Sequence, residues 1–362
     1  MTDLLTTLRR RARSQSARIL LPEAHDCRVL DAAARAQADG IAQPVLFGPD
    51  DQTRQLCAEL GIDIDALEFL PYPEGAVLDE YAAEYAALRD VDVAVARELL
   101  TDELVLAALL TRLDEVDGLV AGAVSPTAEV VAVANGVIGL DPAIDTASSY
   151  FIMQFDDETI GEDGVLLYAD CGVNIAPSEE QLADIAVTTA STASELFGWS
   201  PRVAMLSFST KGSAQHQMSE RVANAAAVAR RQVDDGVVDG ELQADVALVP
   251  DIADRKTDAA AIRGDANIFI FPNLDAGNIA YKLTERLSGA TALGPILQGY
   301  ARPVSDLSRG ASADDIYDIL TVTACQVARG DFSDEGEILT TGLLRRRETS
   351  INADADAPDS KI

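Results

Sequence analysis

Short apolar runs recur along this chain, each followed by a stretch with helical spacing, and that alternation admits few folds. Strand-like runs lie at residues 18–22, 44–48, 67–70, 117–123, 202–208, 245–249, 267–271 and 292–297. Helical patterns separate them at 26–40, 52–60, 78–89, 93–113, from Thr127 onward, and at 214–231, 254–264 and 275–287. Strand, helix and next strand make a βαβ unit, whose crossover helices cover both faces of a parallel sheet. The expected class is therefore α/β. Residues 1–10 add an amphipathic N-terminal helix. The order changes after residues 135–142. Two strand-like runs, 147–155 and 164–170, are separated only by the acidic stretch 156–163 and read as an antiparallel pair. A long helix, 178–197, then opens on the capping box Ser178-Glu-Glu-Gln181. This shift divides the chain into an α/β domain of residues 1–143 plus 299–332 and an inserted α/β domain of residues 144–298. A loosely ordered acidic tail, 333–362, follows them.

The ends of the strands carry the chemistry. The run at 292–297 leads into a loop broken by Gly299, Pro303 and Gly310, and a helix begins at Ser312. A loop delivered onto a helix N-terminus is a common anion site in α/β proteins. This one holds Arg309, a planar cation suited to phosphate, beside the hydroxyl of Ser308, with the carboxylate of Asp315 a few residues on. Read as local structure alone, Ser312 and Asp315 are a capping box, Ser308 a turn residue and Arg309 a surface charge. Three more strand–helix loops are small and polar: Ser209-Thr-Lys-Gly-Ser213, Gly122-Ala-Val-Ser-Pro-Thr127 and Pro272-Asn-Leu-Asp-Ala-Gly-Asn278. The first lacks the leading glycine of a P-loop. It reads equally as an anion cradle or an ordinary turn. Thr127 reads as an N-cap. No GxGxxG or GxSxG string is present.

Charge excludes several partners. Acidic residues number 60 against 28 basic ones, a net charge of -32, and only four of the basic residues are lysines. Such a surface repels nucleic acid and anionic membrane. It also repels itself, and at about 1 M salt the Debye length falls to about 3 Å, so adaptation to a salty cytoplasm is expected. The apolar runs are too short to span a bilayer. Four scattered cysteines and two histidines offer no zinc spacing and suit a reducing compartment.

Taken together, several strings resemble the phosphate acetyltransferases (phosphotransacetylases). They are Gly294-Pro-Ile-Leu-Gln-Gly299, Pro303-Val-Ser-Asp-Leu-Ser-Arg-Gly310, Ala204-Met-Leu-Ser-Phe-Ser-Thr-Lys-Gly-Ser213, Pro272-Asn-Leu-Asp-Ala-Gly-Asn-Ile-Ala-Tyr-Lys-Leu283, Gly118-Leu-Val-Ala-Gly-Ala123, Leu21-Pro-Glu23 and Tyr168-Ala-Asp-Cys-Gly-Val-Asn174. The likeness runs over roughly residues 15–330. It implies two α/β domains around a cleft, similar to isocitrate and isopropylmalate dehydrogenases, in a cytoplasmic homodimer. It also implies acetyl exchange between CoA and phosphate, with CoA a substrate, no tightly bound cofactor and no metal. Ser308 and Arg309 would contact the acyl phosphate and Asp315 would deprotonate the CoA thiol. Arg89 would meet CoA, while Thr127, Ser209, Thr210, Lys211 and Asn278 are further candidate substrate contacts.

One position departs from the pattern. Where the family typically carries an arginine four residues after its Thr-Ala pair, this chain has Ala132. Two alternatives therefore stand beside acetyl transfer: a phosphate butyryl- or propionyltransferase, and a non-catalytic homologue that senses acyl-CoA or acyl phosphate.

Overall fold

The computed structural model describes residues 4–327, so the tail expected at 333–362 lies outside the described residues. The first half comprises α1 (Leu4–Arg13), β1 (Arg18–Leu21), α2 (Cys27–Ala38), β2 (Gln43–Phe47), α3 (Asp51–Leu60), β3 (Glu68–Leu70), α4 (Gly75–Arg89), α5 (Val93–Leu99), α6 (Glu103–Arg112), β4 (Gly118–Ala121) and α7 (Thr127–Val133). A π-helical turn, Ala134–Ile138, ends α7. Next come β5 (Ser148–Gln154), β6 (Val165–Ala169), α8 (Glu179–Phe197), β7 (Arg202–Leu206), α9 (Gln217–Ala229), β8 (Val237–Leu242), α10 (Ala244–Leu248), α11 (Pro250–Lys256), β9 (Ile268–Ile270) and α12 (Leu274–Ser288). The last described elements are β10 (Thr291–Gln298), β11 (Val304–Asp306) and α13 (Ala313–Val327).

The strands form one 11-stranded sheet in the order β3-β2-β1-β4-β11-β10-β5-β6-β9-β7-β8. From β3 to β11 all neighbours are parallel. Strand β10 is antiparallel to β11 and β5, and β5 is antiparallel to β6, which bears out the expected 147–155/164–170 pair. The group β6-β9-β7-β8 is again parallel but runs opposite to the first group.

Side chains alternate across the sheet as a period of two requires. Ile19 and Leu21 join the core beneath α1, α2 and α13, whereas Leu20 joins the core beneath α4 to α7. In β5, Tyr150 and Ile152 face the first core, and Phe151 and Met153 face a third beneath α10 to α12. Helices thus cover both faces, which explains why nearly every strand position is apolar.

Several expected elements shift. The 93–113 helix divides because Asp102 caps a new start, accepting the N–H groups of Leu104 and Val105. Residues 244–248 are helical, not extended; the strand is 237–242, disguised by the buried acids Asp239 and Glu241. The 254–264 helix is instead Pro250–Lys256, with proline at its first turn. Strand β11 falls where the sequence reads as loop, being three residues long with Asp306 at its end. Thr127 is not an N-cap: Pro126 holds that place and Thr127 is the first helical residue.

Candidate active site

Strands β1, β4 and β11 are neighbours with a common direction, and Asp306 stands beside Ala121 in register. Their carboxyl ends therefore launch three loops side by side, the usual location of α/β ligand sites. From β11, Ser308, Arg309 and Gly310 are exposed. Ser308 folds the loop on itself: its carbonyl accepts from Ala311 N–H at 2.8 Å and its hydroxyl from Gly310 N–H at 3.2 Å. The side chain of Arg309 has no hydrogen-bond or ion-pair partner among the described residues, an open cation in a strongly acidic chain.

Asp315 does form the expected cap. Its Oδ2 accepts from the Ser312 N–H and hydroxyl, both at 2.8 Å, and its own N–H donates to Ser312 Oγ at 3.2 Å. One carboxylate oxygen is thus anchored, while Oδ1 makes no hydrogen bond to the described residues.

Behind the loop lie three acids and an arginine. Glu23, 5 % exposed, accepts the N–H groups of Gly122, Ala123, Val124 and Ser125 at 2.7–3.0 Å, so a single carboxylate organises the β4–α7 loop. Thr127 Oγ1 donates to Asp306 Oδ2 at 2.6 Å. Gly122 is needed here: its φ is +110°, and a Cβ would collide with Asp306 Oδ1 and the Leu307 backbone. Burial pushes Asp306 up to about 7; the Thr127 hydroxyl opposes this and the nearby Glu23 charge adds to it. Asp26 caps α2 and holds Arg28 in a fork. Burial works to raise the Asp26 pKa, but the hydrogen bonds from the Arg28 side chain and N–H hold it below the ordinary value.

The remaining candidates lie elsewhere. Arg89 Nη1 donates to the Gly136 carbonyl at 2.8 Å, its guanidinium lying close over that glycine, within the turn that ends α7. In the same turn Asn135 accepts from the Tyr300 hydroxyl at 3.0 Å. Burial, and then the charge of Asp170, raise the Tyr300 pKa. Asp170, 2 % exposed, organises the 171–174 turn through the N–H groups of Gly172, Val173 and Asn174. Asn278 donates to the Cys171 carbonyl of that turn at 3.2 Å. Arg89 and Asn278 thus each donate to the backbone carbonyl of a turn, Gly136 and Cys171 respectively. Ala132, exposed on α7, is a few residues from Arg89's acceptor.

Ser209, Thr210 and Lys211 follow β7 in the opposite-running group. Ser209 donates to the buried Glu241 at 2.8 Å, and Thr210 to Gln243 at 3.3 Å. Lys211, at φ +49°, pairs closely with Asp239 and donates to the Gly240 carbonyl. These contacts belong wholly to the second strand group; no hydrogen bond or ion pair among the described residues ties them to Ser308 or Arg309. Sequence reasoning missed Glu23, Arg28 and Asp306 as site residues. Glu23 and Asp306 sit inside strings that carry the family resemblance, but Glu23 holds backbone N–H groups and Asp306 meets the hydroxyl of the distant Thr127. No three His, Cys, Asp or Glu side chains among the described residues are grouped to hold a metal.

The family model for phosphate acetyl/butaryl transferase matches residues 3–324. The chain belongs to that family. It is accordingly an acyltransferase. Among family members, it is 41% identical to the phosphate acetyltransferase of Thermoanaerobacterium thermosaccharolyticum over 327 residues, covering 90% of this chain and 99% of the relative. The corresponding Bacillus subtilis protein is 36% identical over 328 residues, at 90% and 99% coverage. The fold also superposes on the crystal structure of a phosphotransacetylase from Streptococcus pyogenes with a TM-score of 0.85, at 37% identity, covering 90% of this chain and 99% of that one. No helix among the described residues is long and apolar enough to cross a membrane.

Proposed function

We propose that this acyltransferase exchanges an acetyl group between CoA and phosphate: acetyl-CoA and phosphate give acetyl phosphate and CoA. The observation that carries the reading is the open Arg309 guanidinium beside Ser308, exposed at the carboxyl end of β11. In the direction that consumes acetyl phosphate, the CoA thiol transfers its proton to Asp315. A thiol has a pKa near 8.5, so only a minority is thiolate at neutral pH and a base contributes. The open Oδ1 of Asp315 suits this, since Oδ2 is already held by Ser312. The thiolate sulfur attacks the acetyl carbonyl and the C–O bond to phosphate breaks. Arg309 neutralises the departing phosphate, and Ser308 donates to the developing oxyanion. Such donors are typically worth about 3–4 kcal/mol each at a transition state.

Arg89, Asn278 and Thr127 would line the path of CoA along a cleft between the two proposed domains, 1–143 plus 299–332 and 144–298, in the manner of isocitrate dehydrogenase. Ser209 and Thr210 remain candidates for the far wall. A homodimer is supported by the exposed stripe Ile279, Leu283 and Leu287 at four-residue spacing on α12. Four free cysteines, three of them buried, suit a cytoplasmic setting.

Phosphate-dependent release of thiol from acetyl-CoA, measured in about 2–3 M KCl where screening is nearly complete, tests the reading. Turnover that Arg309→Ala and Ser308→Ala each lower by orders of magnitude would support it. One observation favours a second reading, a non-catalytic sensor: Ala132 leaves α7 without a cation near Arg89. Folded protein that binds CoA without phosphate-dependent turnover would establish that reading instead.

A further inference from the structure

All five N–H donors of Arg28 are in use, and they reach three separate segments. Nε and Nη2 donate to the two oxygens of Asp26 at 3.0 and 2.7 Å. The second Nη2 proton goes to the Ala123 carbonyl in the β4–α7 loop at 2.9 Å. Nη1 donates to the carbonyls of Arg309 at 2.9 Å and Ala311 at 2.7 Å. A guanidinium has five donors in a fixed plane, so this side chain has none left for a substrate. Between Leu307 and Ser312 the loop's other backbone bonds are internal, from Ala311 N–H and Gly310 N–H to Ser308. Among the described residues, Arg28 is the side chain outside the loop that fixes its backbone.

We infer that Arg28 is a positioning residue that acts through Arg309, holding the backbone from which that guanidinium is presented. The inference rests on the reading of Arg309 as the acyl-phosphate ligand. Two carbonyls held from behind fix the peptide planes on either side of the loop's tip. The Arg309 side chain then starts from a set origin and direction, and the ordering of the loop is met on folding, not on each turnover. Lysine in place of Arg28 keeps the charge beside Asp26. Its three donors diverge from one nitrogen and cannot span Asp26, Ala123 and both loop carbonyls together. The plane is therefore required, not only the charge.

Steady-state kinetics of R28K, R309A and the R28K/R309A double variant test this, in the direction from acetyl phosphate and CoA, with circular dichroism and CoA titration confirming fold and binding. R28K is expected to raise KM for acetyl phosphate and lower kcat, together on the order of tenfold to a hundredfold in kcat/KM. KM for CoA should stay within about twofold, because Arg28 faces the loop backbone. The double variant is expected to be no slower than R309A, since a group acting through Arg309 has nothing left to position. Wild-type kinetics in R28K, or losses that multiply in the double variant, with R309A itself impaired, would overturn the role of Arg28 alone. R309A at the wild-type rate would instead remove the acyl-phosphate reading, and the inference with it.

Discussion

Thr127 donates its hydroxyl proton to Oδ2 of Asp306 across 2.6 Å, while Oδ1 of the same carboxyl group is buried with no partner among the described residues. A half-satisfied acid in that position resists ionisation, and burial pushes it up to about 7. The folded state therefore binds this proton more tightly than the unfolded chain, whose ordinary value is 3.8. Ionising the group in place costs stability progressively as pH rises from near the lower value to near the upper, and the cost is constant above. Asp306→Asn mimics the protonated form and still accepts from Thr127. Relative to the natural protein, the variant should gain stability between about pH 4 and pH 7, by roughly 1.4 kcal/mol for every pH unit crossed. Urea midpoints of both proteins across that range provide the check. A difference that does not change with pH would mean that Asp306 does not titrate there.

The cap and the proposed base share one residue, and two substitutions separate them. Ser312→Ala removes the hydroxyl that accepts from Asp315 N–H. It should cost about 1 kcal/mol of stability, as for other N-cap losses, and leave kcat within about tenfold, because Ser312 N–H still holds Oδ2. Asp315→Asn keeps an oxygen for Ser312 but cannot take a proton. Its stability should be nearly unchanged and its kcat lower by about 10²–10⁴. The opposite pattern, a stable and slow Ser312→Ala with an unstable and active Asp315→Asn, would assign Asp315 to the helix alone.

Lys211 is one of four lysines in the chain, and its ammonium is spent on Asp239, which is 1% exposed. Arg230 shares the same oxygen at 2.9 Å, and the Ala261 N–H reaches the other at 2.6 Å. Lys211→Met leaves those two partners, so the loss should be smaller than the 3–5 kcal/mol of a fully stranded buried charge, roughly 1–3 kcal/mol. The 209–213 loop would lose one of its ties to β8 and keep those of Ser209 and Gly212 to Glu241. Chemical denaturation is expected to register the change, with KM for phosphate moved by less than about threefold. A stable variant with a phosphate KM raised tenfold or more would place Lys211 on the substrate.

What could be read from the residues follows from how local the determinants are. The Ser312–Asp315 cap and the Ser308–Arg309 loop lie within eight residues, and spacing alone exposes them. The apolar strands announce themselves because both sheet faces are covered. Strand β8 is hidden because two of its positions, Asp239 and Glu241, are acids buried to anchor the 209–213 loop. Arg28 and Glu23 are hidden for a different reason. Apart from Asp26, their partners are the carbonyls of Ala123, Arg309 and Ala311 and the N–H groups of residues 122–125, atoms that every sequence possesses and no pattern marks. The reversal of strand direction across β10, β5 and β6 takes three antiparallel pairings, one of them between distant segments, Ile296 with Tyr150, and it separates the Lys211 loop from the Arg309 loop.

Salt should govern stability, and the shape of the dependence discriminates the cause. With 60 acids and 28 bases, most acidic charge has no cation to pair with. Pairs that do form, such as Arg97 with Asp79 and Arg263 with Asp254, are largely exposed and worth about 0–1 kcal/mol each. Screening weakens those attractions and the far more numerous repulsions together, so the balance favours the folded state. Raising KCl from 0.1 M to 1 M shortens the Debye length from about 10 Å to about 3 Å. Relief of a few kcal/mol of self-repulsion would raise Tm by roughly 5–10 °C, taking about 2–4 °C per kcal/mol for a domain of 150–250 residues. If screening is the cause, the rise is steep below about 1 M, levels off above it, and is the same for KCl and NaCl. A flat or falling Tm would mean that the negative charge serves solubility without stressing the fold.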